Sequence, residues 1–146
     1  MNNALTCEYF ETQKKVRKCI EHAFSVRKAS IYEVPQEFLD RLENTAVELT
    51  YLTKPGPHPF YKPEFAHLTG EEWTDKIITD EKYLEDLRKW DEENTRYLCA
   101  CDKYLGKIAG TLEIIFQYLC LHGTMEDNYT VETDESFVYA SFKCLL

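Results

Sequence analysis

Apolar positions recur three and four residues apart through most of this chain, the spacing of helices with one buried face. From Leu5 to about Lys28, Tyr9, Val16, Ile20, Ala23 and Phe24 fall on one side with charges elsewhere, which predicts a first amphipathic helix. Ser25 to Pro35 reads as a turn. Proline is favoured at a helix start, and from Pro35 the stripe Phe38, Leu39, Leu42, Ala46, Leu49 and Leu52 predicts a second helix. Pro55, Pro57, Pro59 and Pro63 then hold Lys54 to Ala66 extended, with Phe60, Tyr61 and Phe65 able to pin that segment to the domain. Thr69 followed by Glu72 has the form of a capping box, so a short helix carrying Trp73, Ile77 and Ile78 should begin there.

A longer helix follows, marked by Tyr83, Leu87, Trp90, Asn94, Tyr97, Cys101 and Leu105, with Glu85 to Lys89 and Glu92 to Arg96 as exposed i,i+4 pairs. Gly106 is read as a bend leading into residues 105–121, a stretch apolar on nearly every side. A helix apolar all round cannot lie on a surface. Lys107, Glu113 and Gln117 make it too polar for lipid, and it falls short of the roughly 18 to 20 apolar residues that a bilayer requires. It is therefore expected to be the buried central helix of a soluble bundle. Gly123 suits its end, and Met125 to Asp134 is polar. In the last twelve residues, Phe137, Ser141, Cys144 and Leu145 fit a helix, whereas Val138, Ala140, Phe142 and Cys144 fit one face of a strand; helix is favoured. The expected fold is all-α, a single helical domain over residues 1–146 around a buried central helix.

Composition narrows the partners more than the fold. The 146 residues suit one domain, long enough to bury about two thirds of its unfolded surface. A net charge of -9 disfavours nucleic acid and anionic membranes, since both repel it. Lys14, Lys15, Arg17 and Lys18 lie beside Glu8, Glu11 and Glu21 and read as a solvated helix face, with a docking patch as the lesser alternative. No charged leader with an apolar core and cleavage site opens the chain, so the expectation is a cytoplasmic protein without a membrane anchor. Its six cysteines then read as reduced, mostly buried thiols. Cys99 and Cys101 point in nearly opposite directions on a helix, and Cys144 stands third from the end where prenylation needs it fourth.

Catalytic patterns are lacking: there is no glycine-rich phosphate cradle, no nucleophile elbow and no His-rich metal motif. Glu64-Phe-Ala-His67 has the spacing used by di-iron bundles but occurs once, beside Pro63, where such sites need it on two helices. Glu113 and Gln117 share a helix face and read as a hydrogen-bonded core pair or an exposed edge, while His22, His58 and His122 stand alone. A non-enzymatic protein without cofactor or metal is expected.

Gly106-Lys107-Ile108-Ala109-Gly110-Thr111-Leu112-Glu113-Ile114 resembles the first homology motif of the Bcl-2 family of apoptosis regulators, in which a Gly-Arg pair opens a buried central helix. Leu98 and Cys99 stand where that family ends its preceding helix with an apolar pair, and Leu42-Glu-Asn-Thr-Ala46-Val-Glu48 echoes its third homology motif. The departures are specific. The family's Asn-Trp before the glycine is Tyr104-Leu105, its arginine is Lys107, and its third-motif aspartate is replaced by Val47 with Glu48 one step on. Residues 124–146 are too few for the second homology motif and a membrane tail, as in the short, divergent viral members.

The resemblance implies an inhibitor of cell death that sequesters the amphipathic helix of pro-apoptotic proteins in a hydrophobic groove. Leu42, Tyr83, Leu87, Tyr97, Ile108 and Leu112 would be its walls, Gly106 would let the ligand backbone approach, and Lys107 would pair with the ligand's aspartate. Physical chemistry supports such a groove without the family name, because an apolar channel between helices receives an incoming helix through its i, i+3, i+4 and i+7 positions. Ten tyrosines and two tryptophans supply side chains of the kind enriched at interfaces, or ordinary core and boundary packing. A homodimer through the same groove remains open. The alternatives are an acidic helical adaptor or immunity-type protein that blocks a basic partner, and a bundle binding a small molecule around Glu113 and Gln117.

Overall fold

The computed structural model describes residues 3–59, 69–72, 80–126 and 134–146, and every regular element among them is helical. Helix α1 runs Asn3–Val26. It stops because Lys28 turns left-handed at φ 53°, which lets the Ala29 N–H reach the Phe24 carbonyl at 2.9 Å and the Lys28 N–H reach Ser25 at 3.1 Å. That closes the orphan carbonyls of a helix end in the position where glycine is usual. A 3-10 turn, Ile31–Glu33, leads to α2, Gln36–Thr50, preceded by Pro35 as the cap residue.

Helix α3 is Glu81–His122, started by the Asp80 carboxylate, which accepts from the Tyr83 N–H at 3.0 Å. Helix α4 is Glu135–Phe142, where Asp134 accepts from the Phe137 N–H at 2.7 Å, and a 3-10 turn, Lys143–Leu145, follows it. The last residues are thus helical, as their spacing favoured.

The chain divides into two compact units, Met1–Leu52 with Cys101–Leu146, and Thr53–Ala100. The first is a helical bundle. In it α1 packs on α2 and α4, and the final turn meets α2. Its core is built from Val16, Ile20, Ala23 and Phe24 of α1, Leu42, Ala46 and Leu49 of α2, Ile108, Leu112, Ile115, Phe116 and Leu119 of α3, and Val138 and Phe142 of α4. Phe116 sits edge-on to Phe24 at 5.6 Å and tilted to Phe137 at 6.3 Å, and Phe38 meets Tyr118 at 5.8 Å, so α3 touches the other three helices. The Arg27 guanidinium lies 4.3 Å from the Phe137 ring centre. Lys14, Lys15, Arg17 and Lys18 are all exposed, the solvated face their neighbours implied.

In the smaller unit the proline-rich segment is held by Trp90, whose indole N–H donates to the Gly56 carbonyl at 2.8 Å and whose ring meets His58 edge-on at 4.5 Å. Thr69 and Glu72 make the reciprocal bonds of a capping box, at 3.3 and 3.4 Å. The helix expected to carry Trp73, Ile77 and Ile78, the contacts expected of Phe60, Tyr61 and Phe65, and the Glu64–His67 motif all lie outside the described residues.

Three expectations are corrected. Gly106 is not a bend: α3 continues through it, since a glycine costs a helix interior only about 1 kcal/mol relative to alanine and Leu105, Ile108 and Leu112 anchor the flanks. Nor is the 105–121 stretch buried all round. Ile108, Thr111, Leu112, Ile115, Phe116 and Leu119 form one buried stripe, whereas Ile114 is 46% and Leu121 78% exposed. Folded proteins leave many apolar atoms at the surface, so an apolar stretch does not guarantee cover on every side. Finally, Glu85 and Glu92 are both engaged by Arg88, at 2.6 Å each. The fork of an arginine placed between two carboxylates takes both.

Candidate functional site

Helices α3 and α4 form an open recess of about 340 Å³ between them. Its α3 wall is Asp102, Leu105, Gly106 and Ala109, one face at i, i+3, i+4 and i+7, and its α4 wall is Glu135, Ser136, Val138 and Tyr139. The space exists because the α3 wall is small at its middle. A methyl group added at Gly106 would meet nothing within 4 Å, so the helix surface there is open backbone.

Apolar and small side chains make up most of the lining, and each wall contributes one carboxylate. Asp102 and Glu135 are exposed carboxylates, and none of the lining side chains is basic. Lys107, one residue past Gly106, does not line the cavity; its ammonium lies 4.9 Å from the Tyr104 ring centre. Thr111 donates to the Lys107 carbonyl at 3.0 Å, so the threonine is buried with its hydroxyl satisfied by its own helix.

At the far end of α3, Glu33 closes the bundle. Its carboxylate accepts from the Thr124 hydroxyl at 2.6 Å and the Thr124 N–H at 2.8 Å, and these two bonds hold its pKa below the usual carboxylate value. The carboxylate lies so close that a methyl group at Gly123 would stand 2.5 Å from it. Gly123 does not adopt a left-handed conformation. It ends α3 by making room rather than by turning the chain.

The residues proposed from sequence fall in both units. Leu42, Ile108 and Leu112 are wholly buried core residues of the larger unit. Gly106 and Lys107 are exposed in the same unit, and of these five only Gly106 reaches the cavity. Tyr83, buried, and Leu87 and Tyr97, half-buried, belong to the Thr53–Ala100 unit. Glu113 is half-buried and Gln117 exposed, and neither lines the cavity. The sequence did carry a signal for Asp102, Leu105 and Ala109, which share one helical face with Gly106. Nothing in it pointed to Glu135, Ser136, Val138 and Tyr139, since only packing brings α4 there.

Family models, curated proteins and solved structures contain no match to this chain. Among the described residues no helix is long and apolar enough to cross a membrane.

Proposed function

We propose that this protein is a non-enzymatic, Bcl-2-like inhibitor of cell death that acts in the cytoplasm by holding the amphipathic helix of a pro-apoptotic protein. The observation that carries the proposal is the cavity beside Gly106, at the start of the stretch that resembles the family's first homology motif. An incoming helix needs a place where backbones approach closely and an apolar recess for an anchor side chain. Gly106 and Ala109 supply the first, and Leu105, Val138 and Tyr139 the second. At about 340 Å³ the recess lies at the small end of ligand pockets and suits one or two anchors rather than a whole helix. Lys107 does not line the recess and its ammonium rests over the Tyr104 ring, so its pairing with a ligand carboxylate is supported by the family resemblance alone.

The two carboxylates in the lining favour a second reading. With Asp102 and Glu135 on the cavity and a net charge of -9, an acidic adaptor that blocks a basic partner would bind at the same place. Calorimetric titration of the full chain with pro-apoptotic helical peptides tests both. Binding that changes little between low and high salt supports the helix groove, and binding that weakens steeply as charges are screened supports the adaptor. No heat from any peptide would remove the first reading.

A further inference from the structure

Two cysteines 125 residues apart in the chain meet at the seam between α1 and the C-terminal turn. The Cys19 and Cys144 sulfurs are 3.1 Å apart, so about 1 Å of approach separates this contact from a disulfide bond. Cys19 is buried at 3% exposure, whereas Cys144 is exposed. One helical turn along the same seam, His22 Nδ1 and Ser141 Oγ lie 3.2 Å apart, so the two sides are in register at a second point. Cys19 therefore sits on a helix, and Cys144 on a turn that directly continues the helix packed against it, and such prealignment raises effective concentration by orders of magnitude.

We propose that Cys19 and Cys144 are a hydroperoxide-reactive pair that closes into an intramolecular disulfide, tying the C-terminal turn to α1. The exposed Cys144 reacts first. Its thiolate attacks one oxygen of the peroxide, the O–O bond breaks, and the departing hydroxide takes up a proton to leave as water, with Cys144 now a sulfenic acid. The Cys19 sulfur then attacks the Cys144 sulfur, the S–O bond breaks, and the hydroxide released combines with the Cys19 proton as a second water. Two thiols lose two electrons and two protons, and hydrogen peroxide accepts them.

Exposure sets this order. Burial and the Cys144 hydrogen bond push the Cys19 thiol up to about 12, so it stays protonated and unreactive toward dissolved oxidant. Only a sulfenic acid formed in contact with it gives it a partner. The bond would anchor the end of α4, the helix that forms one wall of the cavity.

The test uses the full chain, reduced, then treated with hydrogen peroxide under native conditions, digested and mapped by mass spectrometry. The expected product is a peptide pair joining Cys19 to Cys144, reversed by dithiothreitol. Closing so long a loop should raise the midpoint of thermal unfolding on the order of 10 °C. Cys144→Ser, at an exposed position that tolerates the change, should abolish both the linked peptide and the shift. Sulfinic acid on Cys144 with Cys19 still alkylatable would overturn the proposal, as would a dominant link to any other cysteine or a linked chain whose midpoint does not move.

Discussion

Before Ala100 and after Cys101, α3 is one unbroken helix held in different ways. In the earlier part, among the described residues, Arg88 bridges Glu85 and Glu92 at the surface, Trp90 hydrogen-bonds Gly56, Tyr83 is buried, and Leu84 and Leu98 are exposed. In the later part Ile108, Leu112, Ile115, Phe116 and Leu119 are wholly buried. The surface ties are short and well directed, yet exposed ion pairs contribute little because water and salt compete for both partners. Burial removes apolar area from water and has no such competitor. Short distances in one part and unremarkable contacts in the other therefore invert the energetic order that distances alone would suggest.

Truncation of the buried stripe should give the largest effect. Leu112→Ala is expected to cost about 2–5 kcal/mol in denaturant unfolding, and an unchanged midpoint would mean the stripe is not the core. In the earlier part Trp90 ties the helix to Gly56, and Trp90→Phe, which keeps an aromatic ring and removes the donor, should cost about 0.5–1.5 kcal/mol. A loss as large as that of Leu112→Ala would erase the contrast between the two parts.

Lys107 tests the exposed face of the later part, where the proposed function rather than stability is at stake. Lys107→Ala should weaken helix-peptide binding by about 0.2–1 kcal/mol and Lys107→Glu by clearly more, with the melting temperature unchanged. Equal affinities for all three side chains would remove Lys107 from the site. Arg88→Ala should leave the unfolding midpoint within the scatter of ordinary surface substitutions, although its partner Glu85 has a pKa lowered chiefly by their hydrogen bond. A clear destabilisation, relieved in high salt, would show that the earlier part depends on its ion pairs after all.

The smallest expected effect is in acid. Glu33 has a lower pKa folded than unfolded, so its contribution is fully present above the usual carboxylate pKa. It fades as pH falls through that value and is lost below the folded one. Stability measured from neutral to acid pH should therefore fall slightly less for Glu33→Gln than for the parent chain, and coincident slopes would mean the Thr124 bonds do not favour the ionised form.

Local signals in the sequence match the structure where the cause is local. The spacings of Val16, Ile20, Ala23 and Phe24, and of Leu42, Ala46 and Leu49, gave the faces that α1 and α2 bury, because periodicity depends only on helix geometry. Thr69 and Glu72 cap each other across three residues for the same reason. Tyr9 shares the spacing of the inward face yet is exposed, since periodicity says which side a residue takes but not how far along the helix the cover extends.

The sequence by itself determined that this chain is helical and which sides of α1 and α2 turn inward, since spacing, caps and proline act within a few residues. Tertiary structure alone decided that Ile114 and Leu121 stay outside and that Asp102 and Glu135 line one recess. It also brought Cys19 to Cys144 and Glu33 to Thr124. Each of these depends on which surface another helix covers, and no local pattern records the distance between residues that only packing brings together.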